Sequence, residues 1–373
     1  MIFLRLPLLG ALMLCIAASA AASQESEIDP RGRQFIGIKH FGAFEKSKDP
    51  ESGAVVLTSP EYHAKVSWNE LIASWNVELP DGAWFKVEAR AVYPNRSTKY
   101  YCLGIWSNEK SRHPSESVRD QKDADGDVAT DTLALQEPCD RFQIRLTLGR
   151  DDALRPEIGF LGISLTDTRV SPPLLPPNRL AWGSTLPVIE RSQMAYPNGK
   201  VLCSPTTVSM IMTYWSRKTN RPELDQDVPV VAKAVYDAKW HGTGNWPFNT
   251  AYAGSYPRMR GYVTRLSDIS ELEDWIAAGV PVGLSVCYDR LRGKGPGPNG
   301  HLVVCVGFTE NGDVILNDPG TSKNVQKTFS RKQLENGWAY SRNAVYLIYP
   351  EDTIVPKDRF GHWDSWTSHL RIN

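Results

Sequence analysis

Two spacings of hydrophobic residues divide the chain. From about Phe35 to Thr168, apolar residues fall in short runs set apart by turn clusters. WFKVEARAV alternates apolar with polar residues and FQIRLTL does so again, which is the period of a strand buried on one face. The runs are AVVLTS, KVSWN, ASWNVEL, WFKVEARAVY, YYCLGIWS, VATDTLAL, FQIRLTLG and FLGISLTD. Eight short strands with no helical period between them predict an antiparallel β-sandwich, of jelly-roll type or close to it, over residues 30–170. The four prolines of SPPLLPPNRL, residues 171–180, then end the pattern. They predict a semi-rigid linker over residues 171–184.

Beyond the linker, residues 185–350 show helical periods first and strands later, the order of an α+β domain. Val208, Ile211, Met212 and Trp215 follow the i, i+3, i+4, i+7 spacing of a helix with one buried face. Pro205 belongs to its first turn, where a missing amide hydrogen costs nothing. A second helix is predicted over Asp227–Lys239 with Asp227 as its cap. A third runs from Ser267 through Leu272, Trp275 and Ile276 to Gly279. VGLSVCY, HLVVCVGF, GDVILNDP and NAVYLIYP follow as strands, and residues 351–373 remain as a C-terminal tail.

Charge removes one class of function. Lys plus Arg and Asp plus Glu number 42 each in 373 residues, so no global field draws the chain toward nucleic acid or acidic lipid. The opening MIFLRLPLLGALMLCIAASAAAS has one Arg, an apolar run and small residues that fit cleavage after Ala20 or Ala22. It predicts a signal peptide over residues 1–22 and an exported protein, periplasmic or extracellular. Leu14 before Cys15 is bulkier than a lipoprotein signal requires, which speaks for release over anchoring. No other stretch is long and apolar enough to span a bilayer.

Export changes how the cysteines read. Removal of that segment leaves Cys102, Cys139, Cys203, Cys287 and Cys305, and an odd number in an oxidising compartment leaves at least one thiol free. Cys102 and Cys139 could pair. Cys287 and Cys305 could pair or be two small core residues. On either count Cys203 is left over. It stands at the N-terminal edge of the first predicted helix, where unpaired amides and the helix dipole favour negative charge. Such a place, with a His partner, can bring a thiol from about 8.5 to between about 3.5 and 7.5. The segment alone fits a small buried cysteine equally well.

His301 decides between them. It opens HLVVCVGF after the glycine-rich RGKGPGPNG, as suits a group facing a cleft. That strand turns through TENG into GDVILNDP, a hairpin built on Asn311-Gly312. If Phe308 pairs with Asp313, Asp318 falls opposite Val303, on the face of His301 and one diagonal step away. A carboxylate there could orient the imidazole for a nucleophile, base and orienter set. A slip of one residue would present Asn317 instead.

RSQMAYPNGKVLCSPTT, GHLVVCVGF and GDVILNDPG together resemble the motifs of papain-fold cysteine peptidases related to bacteriocin leader processing, family 39 of the cysteine peptidases. The resemblance covers residues 185–350. It implies a papain-like fold with Cys203 as nucleophile, His301 as general base, Asp318 as orienting acid and Gln193 as oxyanion-hole donor beside the backbone amide of Cys203. Ser204 stands where the family usually has glycine, which makes the turn after the nucleophile less permissive.

No transporter features accompany these motifs: there is no GxxxxGK[ST] phosphate loop. The expected protein is therefore a secreted, freestanding thiol hydrolase acting on a peptide or small amide, cell-wall peptides among the candidates, without metal or other cofactor. The alternative is an inactive binding protein that recognises a cell-surface glycan or protein through its β-domain. HGTGNWPFNTAYAG either lines the cleft, with Asn245 and Trp246 as substrate contacts, or packs as a loop around a buried Trp. DADGD, residues 123–127, lacks the glycine placement and closing Glu of a calcium loop and reads as a hairpin tip. Trp84, Tyr100, Tyr101 and Trp106 form either a sugar-stacking face or strand core.

Overall fold

The structure, a computed structural model, describes residues 30–108, 113–150, 156–297 and 300–365. The expected signal peptide, residues 1–22, lies outside the described residues.

Among the described residues the N-terminal domain is one continuous antiparallel sheet of ten strands. These are β1 (Arg33–Ile38), β2 (Glu45–Lys48), β3 (Val55–Thr58), β4 (Tyr62–Glu78), β5 (Ala83–Tyr93), β6 (Arg96–Ser97), β7 (Tyr101–Ser107), β8 (Gly126–Ala129), β9 (Thr132–Arg150) and β10 (Glu157–Thr166). Two are far longer than their hydrophobic runs. KVSWN and ASWNVEL are parts of the single strand β4, while VATDTLAL spans the β8–β9 turn and β9 runs on through FQIRLTLG. The β4–β9 ladder shifts register between His63 and Trp68 and again between Trp68 and Glu70. Such bulges reverse which residues face inward, so one long strand reads as two short ones. The first half of β9 pairs with β8 and β4, the second with β3 and β5, and this joins all ten strands.

The C-terminal domain has seven antiparallel strands: β11 (Ser184–Thr185), β12 (Met259–Arg265), β13 (Val282–Cys287), β14 (Gly300–Phe308), β15 (Val314–Asn317), β16 (Gln326–Phe329) and β17 (Ala344–Pro350). Its main order is β12-β17-β13-β14-β15-β16. The helices are α1 (Cys203–Thr219), α2 (Val228–Ala234), α3 (Trp246–Gly254), α4 (Ile269–Ala277), α5 (Tyr288–Leu291) and α6 (Arg331–Trp338). α1 packs on β13 and β14 and buries Val208, Ile211, Met212 and Trp215. α2 is capped by Asp227 but ends at Ala234, short of Lys239. There Asp237 accepts the amides of Lys239 and Trp240 and makes a turn of them. α3 arises within HGTGNWPFNTAYAG, with Asn245 as N-cap and Pro247 in the first turn.

The domains meet along the open edge of β12. Asn76 on β4 brackets Gly261: its Nδ2 donates to the Gly261 carbonyl at 2.7 Å and its Oδ1 accepts the Gly261 amide at 3.2 Å. Ser74 Oγ accepts the Val263 amide at 2.9 Å. Side chains of one sheet thus satisfy the edge backbone of the other, which would otherwise offer a template for another strand. Gly254 allows this approach, because a Cβ there would stand 2.0 Å from Asn76 Nδ2. Phe248 of α3 wedges between Trp106, at 5.3 Å, and Trp75, at 6.0 Å. Trp106 and Tyr101 are therefore core residues, 5% and 0% exposed, rather than a stacking platform. The proline-rich stretch is also tied down: the Leu175 amide donates to Asp268 and the Asn178 amide to Glu273.

All five cysteines among the described residues are free, which corrects the pairings considered above. Cys305 lies opposite Val282, and Cys287 is at the far end of the same strand pair, opposite Gly300. Five residues of strand separate them by about 17 Å, far beyond the reach of a disulfide. Cys102 lies opposite Glu88 on β5, whereas Cys139 lies opposite Trp68 on β4.

Candidate active site

α1 begins at Cys203 with no side-chain cap, its N-cap position being Leu202. The first-turn amides therefore face whatever sits at the helix head. Cys203 is partly buried there. Burial pushes its thiol up, but the hydrogen bond and charge of His301, with backbone hydrogen bonds at Leu302 and Ser204, outweigh this and hold it below the ordinary range.

His301 is placed by β14, opposite Val286. Its Nε2–H donates to Asp318 Oδ1 at 2.8 Å, which leaves Nδ1 for the Cys203 side. Burial alone would lower its pKa. The bonds to Asp318 and Cys203 prevail and raise it to about 9. Both shifts act in one direction, favouring a thiolate beside an imidazolium over the neutral pair.

Asp318 follows β15 at the end of the hairpin. Near the turn Phe308 pairs with Val314, one residue away from the expected Asp313, but a shift between Cys305 and Gly307 absorbs the difference and Val304 pairs with Asn317. The fully buried Asp318 thereby follows on the His301 side. Burial would raise its carboxyl, yet His301, Tyr288 and the Gly320 amide hold it below the usual range. Asn317 turns elsewhere: its Nδ2 meets the carbonyls of Val188 and Ile189, and its Oδ1 accepts from Gln326.

Gln193 is buried on a short 3-10 turn capped by Ser192. Its amide donates to the Pro319 carbonyl at 2.9 Å, which ties it beside Asp318. Its side-chain Oε1 is buried without a hydrogen-bond partner. Gly199, between Gln193 and Cys203, is required by packing, because a Cβ would stand 2.2 Å from the Gln193 carbonyl oxygen. Ser204 is fully buried, and its hydroxyl shares a 2.9 Å hydrogen bond with Tyr346 of β17. The departure from glycine therefore links the helix start to the sheet.

Asn245 and Trp246 do not join this group. Asn245 is wholly buried, with its Nδ2 on Asp237 and its Oδ1 accepting the Phe248 amide, so it caps α3 and has no surface to offer a substrate. The Trp246 amide donates to Asp131 of the N-terminal domain at 2.8 Å. Asp123 ties the DADGD tip by accepting the amides of Asp125 and Gly126. No cluster suited to a metal occurs among the described residues. Tyr288, which donates to Asp318 Oδ2 at 2.8 Å, was not singled out from the sequence. Its only signal is its place just past β13, level with the start of His301's strand.

A partly buried thiol at a helix head, an imidazole and a carboxylate in sequence define a class of site suited to nucleophilic attack. Two regions of the chain match family models of C39 peptidases. Residues 185–346 match the model of the Peptidase_C39 like family, and residues 20–165 match that of the Peptidase C39 N-terminal domain. Among curated proteins none matches the chain. Among solved structures, a protein from Bacillus anthracis described as a C39-like peptidase is similar at 14% identity and a TM-score of 0.35, over 44% of this chain and 96% of its own. The CBM22-1 and GH10 modules of an endo-1,4-beta-D-xylanase from Clostridium thermocellum are similar at 10% identity and a TM-score of 0.18, over 42% of this chain and 31% of theirs.

Proposed function

We propose that this chain is an exported thiol hydrolase that cleaves peptide or amide bonds, with a papain-like catalytic domain and a β-sandwich-type accessory domain. The observation that carries the reading is the opposed pair of shifts: Cys203 is held down while His301 is raised to about 9. Groups pushed apart in this way suit a nucleophile and its acid–base partner. The Cys203 thiolate attacks the carbonyl carbon, and the oxyanion is met by the Gln193 side-chain amide and the Cys203 backbone amide. His301 then gives its proton to the leaving amine. Water, deprotonated by His301, hydrolyses the thioester and frees the thiolate. Asp318 keeps the imidazole oriented throughout.

A mixed library of peptides and peptidoglycan fragments, incubated with the wild type and with Cys203→Ala, tests this directly. Products that require Cys203 are expected. A library left identical by both proteins would remove the hydrolase reading. Export is supported by the N-terminal segment, and mass determination of the mature chain, with a start after Ala20 or Ala22, is its check.

A further inference from the structure

Tyr288 holds the site's carboxylate from the side that His301 leaves open. It follows β13, in which Val286 lies opposite His301 and Cys287 opposite Gly300. Its hydroxyl donates to Asp318 Oδ2 at 2.8 Å while His301 takes Oδ1 at 2.8 Å. Its ring also lies against the imidazole, with centroids 4.2 Å apart and planes inclined by 37°. The Arg292 guanidinium is 3.8 Å from the centroid of the same phenol ring and bonds to Asp289 at 2.8 Å. The Gly320 amide adds a third donor to Asp318, at 2.9 Å. Gly320 leaves the two rings just enough room: a Cβ there would be 3.0 Å from His301 Cε1 and 3.1 Å from the Tyr288 hydroxyl oxygen. Lys327 Nζ is the remaining charge near the carboxylate, 3.9 Å from Oδ2.

We propose that Tyr288 is a positioning residue of the thiol site, its hydroxyl fixing the rotation of the Asp318 carboxylate and its ring excluding water from the His301–Asp318 bond. The proposal rests on the hydrolase reading of Cys203. A hydroxyl that serves packing alone needs only water, whereas a bond to a buried carboxylate is charge-assisted and directional. Burial and the charge of Asp318 push the phenol well above its ordinary value, so it remains a donor across the working range. A ring against the imidazole also favours its charged form and keeps the local dielectric low.

The test uses the full chain as wild type, Tyr288→Phe and Tyr288→Leu, measuring iodoacetamide labelling of Cys203 against pH, with thermal unfolding in parallel. The Phe variant keeps the ring and loses the hydroxyl. Its labelling at pH 6 should fall about threefold with unfolding unchanged, and its acid limb should move upward, because a carboxylate free to rotate holds the imidazolium less well and the Cys203 thiolate loses part of that support. The Leu variant loses both features and should fall about tenfold or more, the scale of a lost supporting partner. Wild-type rates and an unmoved acid limb in both variants would overturn the proposal. If the Leu variant does not fold, the Phe variant decides alone. If wild-type Cys203 labels as an ordinary thiol, the hydrolase reading fails, and the His301 ring titration followed by NMR decides on Tyr288. A titration unchanged by Tyr288→Phe and Tyr288→Leu then counts against it, and a lowered one in Tyr288→Leu supports it.

Discussion

His301 and His362 each face a carboxylate at nearly the same distance, 2.8 Å to Asp318 and 2.9 Å to Glu271. Both pairs are buried, and the second even has a serine beside it. The difference lies in the other nitrogen. His362 Nε2 meets the Pro30 carbonyl at 2.6 Å, and Ser267 Oγ donates to Glu271 rather than to the ring. Every polar atom of that cluster is closed off, so it ties the C-terminal residues and the start of β1's segment to α4. His301 instead has its second side toward a thiol that remains partly accessible at a helix head. Residue types alone describe both clusters; a second nitrogen turned to Cys203, and access to that thiol, separate a candidate site from a staple.

That contrast can be broken at either cluster. The largest effect is expected from Cys203→Ala, which should lower any hydrolysis about a thousandfold or more. Turnover of a cleaved library peptide is the measurement. His362→Ala leaves the buried Glu271 with only its Ser267 donors and should cost about 3 kcal/mol in urea unfolding, while the folded fraction still labels at Cys203 at the wild-type rate. A loss of labelling in the folded fraction would mean that the two clusters are not separate. His301→Ala should slow labelling at pH 6 about tenfold or more by returning the thiol toward about 8.5, with a smaller effect on unfolding. Ser204→Gly is the mildest, removing the hydrogen bond to Tyr346 for about 1 kcal/mol and leaving labelling nearly unchanged.

The pH dependences of the two reactions should differ. A depressed thiol is ionised above its folded pKa, so labelling falls only as pH drops through that value. Hydrolysis also needs the His301 proton for the leaving amine, so it should decline again as pH rises through about 9. Labelling should not.

Much of the C-terminal domain was legible because its signals are local. The helical spacing from Val208 to Trp215, the Asp227 cap and the TENG hairpin each act over a few residues, and a bulge delivered the register that sets Asp318 beside His301. Where two distant segments decide the outcome, the sequence was mute. The bulges around Trp68 hid the continuity of β4. Asn245 and Trp246 looked like cleft residues because nothing local reveals that Asp237 and Asp131 take their polar groups. An odd cysteine count points to Cys203 only through pairings that do not form, so helix position and His301 carry that residue instead. Burial of Cys102, Cys139, Cys287 and Cys305 is what makes them inert without a bridge.

The most direct measurement is the pH at which Cys203 becomes half-maximally reactive to iodoacetamide in the full chain, in wild type and in His301→Ala. The expectation is a midpoint clearly below the ordinary thiol value of about 8.5 in the wild type, and its return toward that value in the variant. A wild-type midpoint at or above about 8.5, unmoved by His301→Ala, would contradict it.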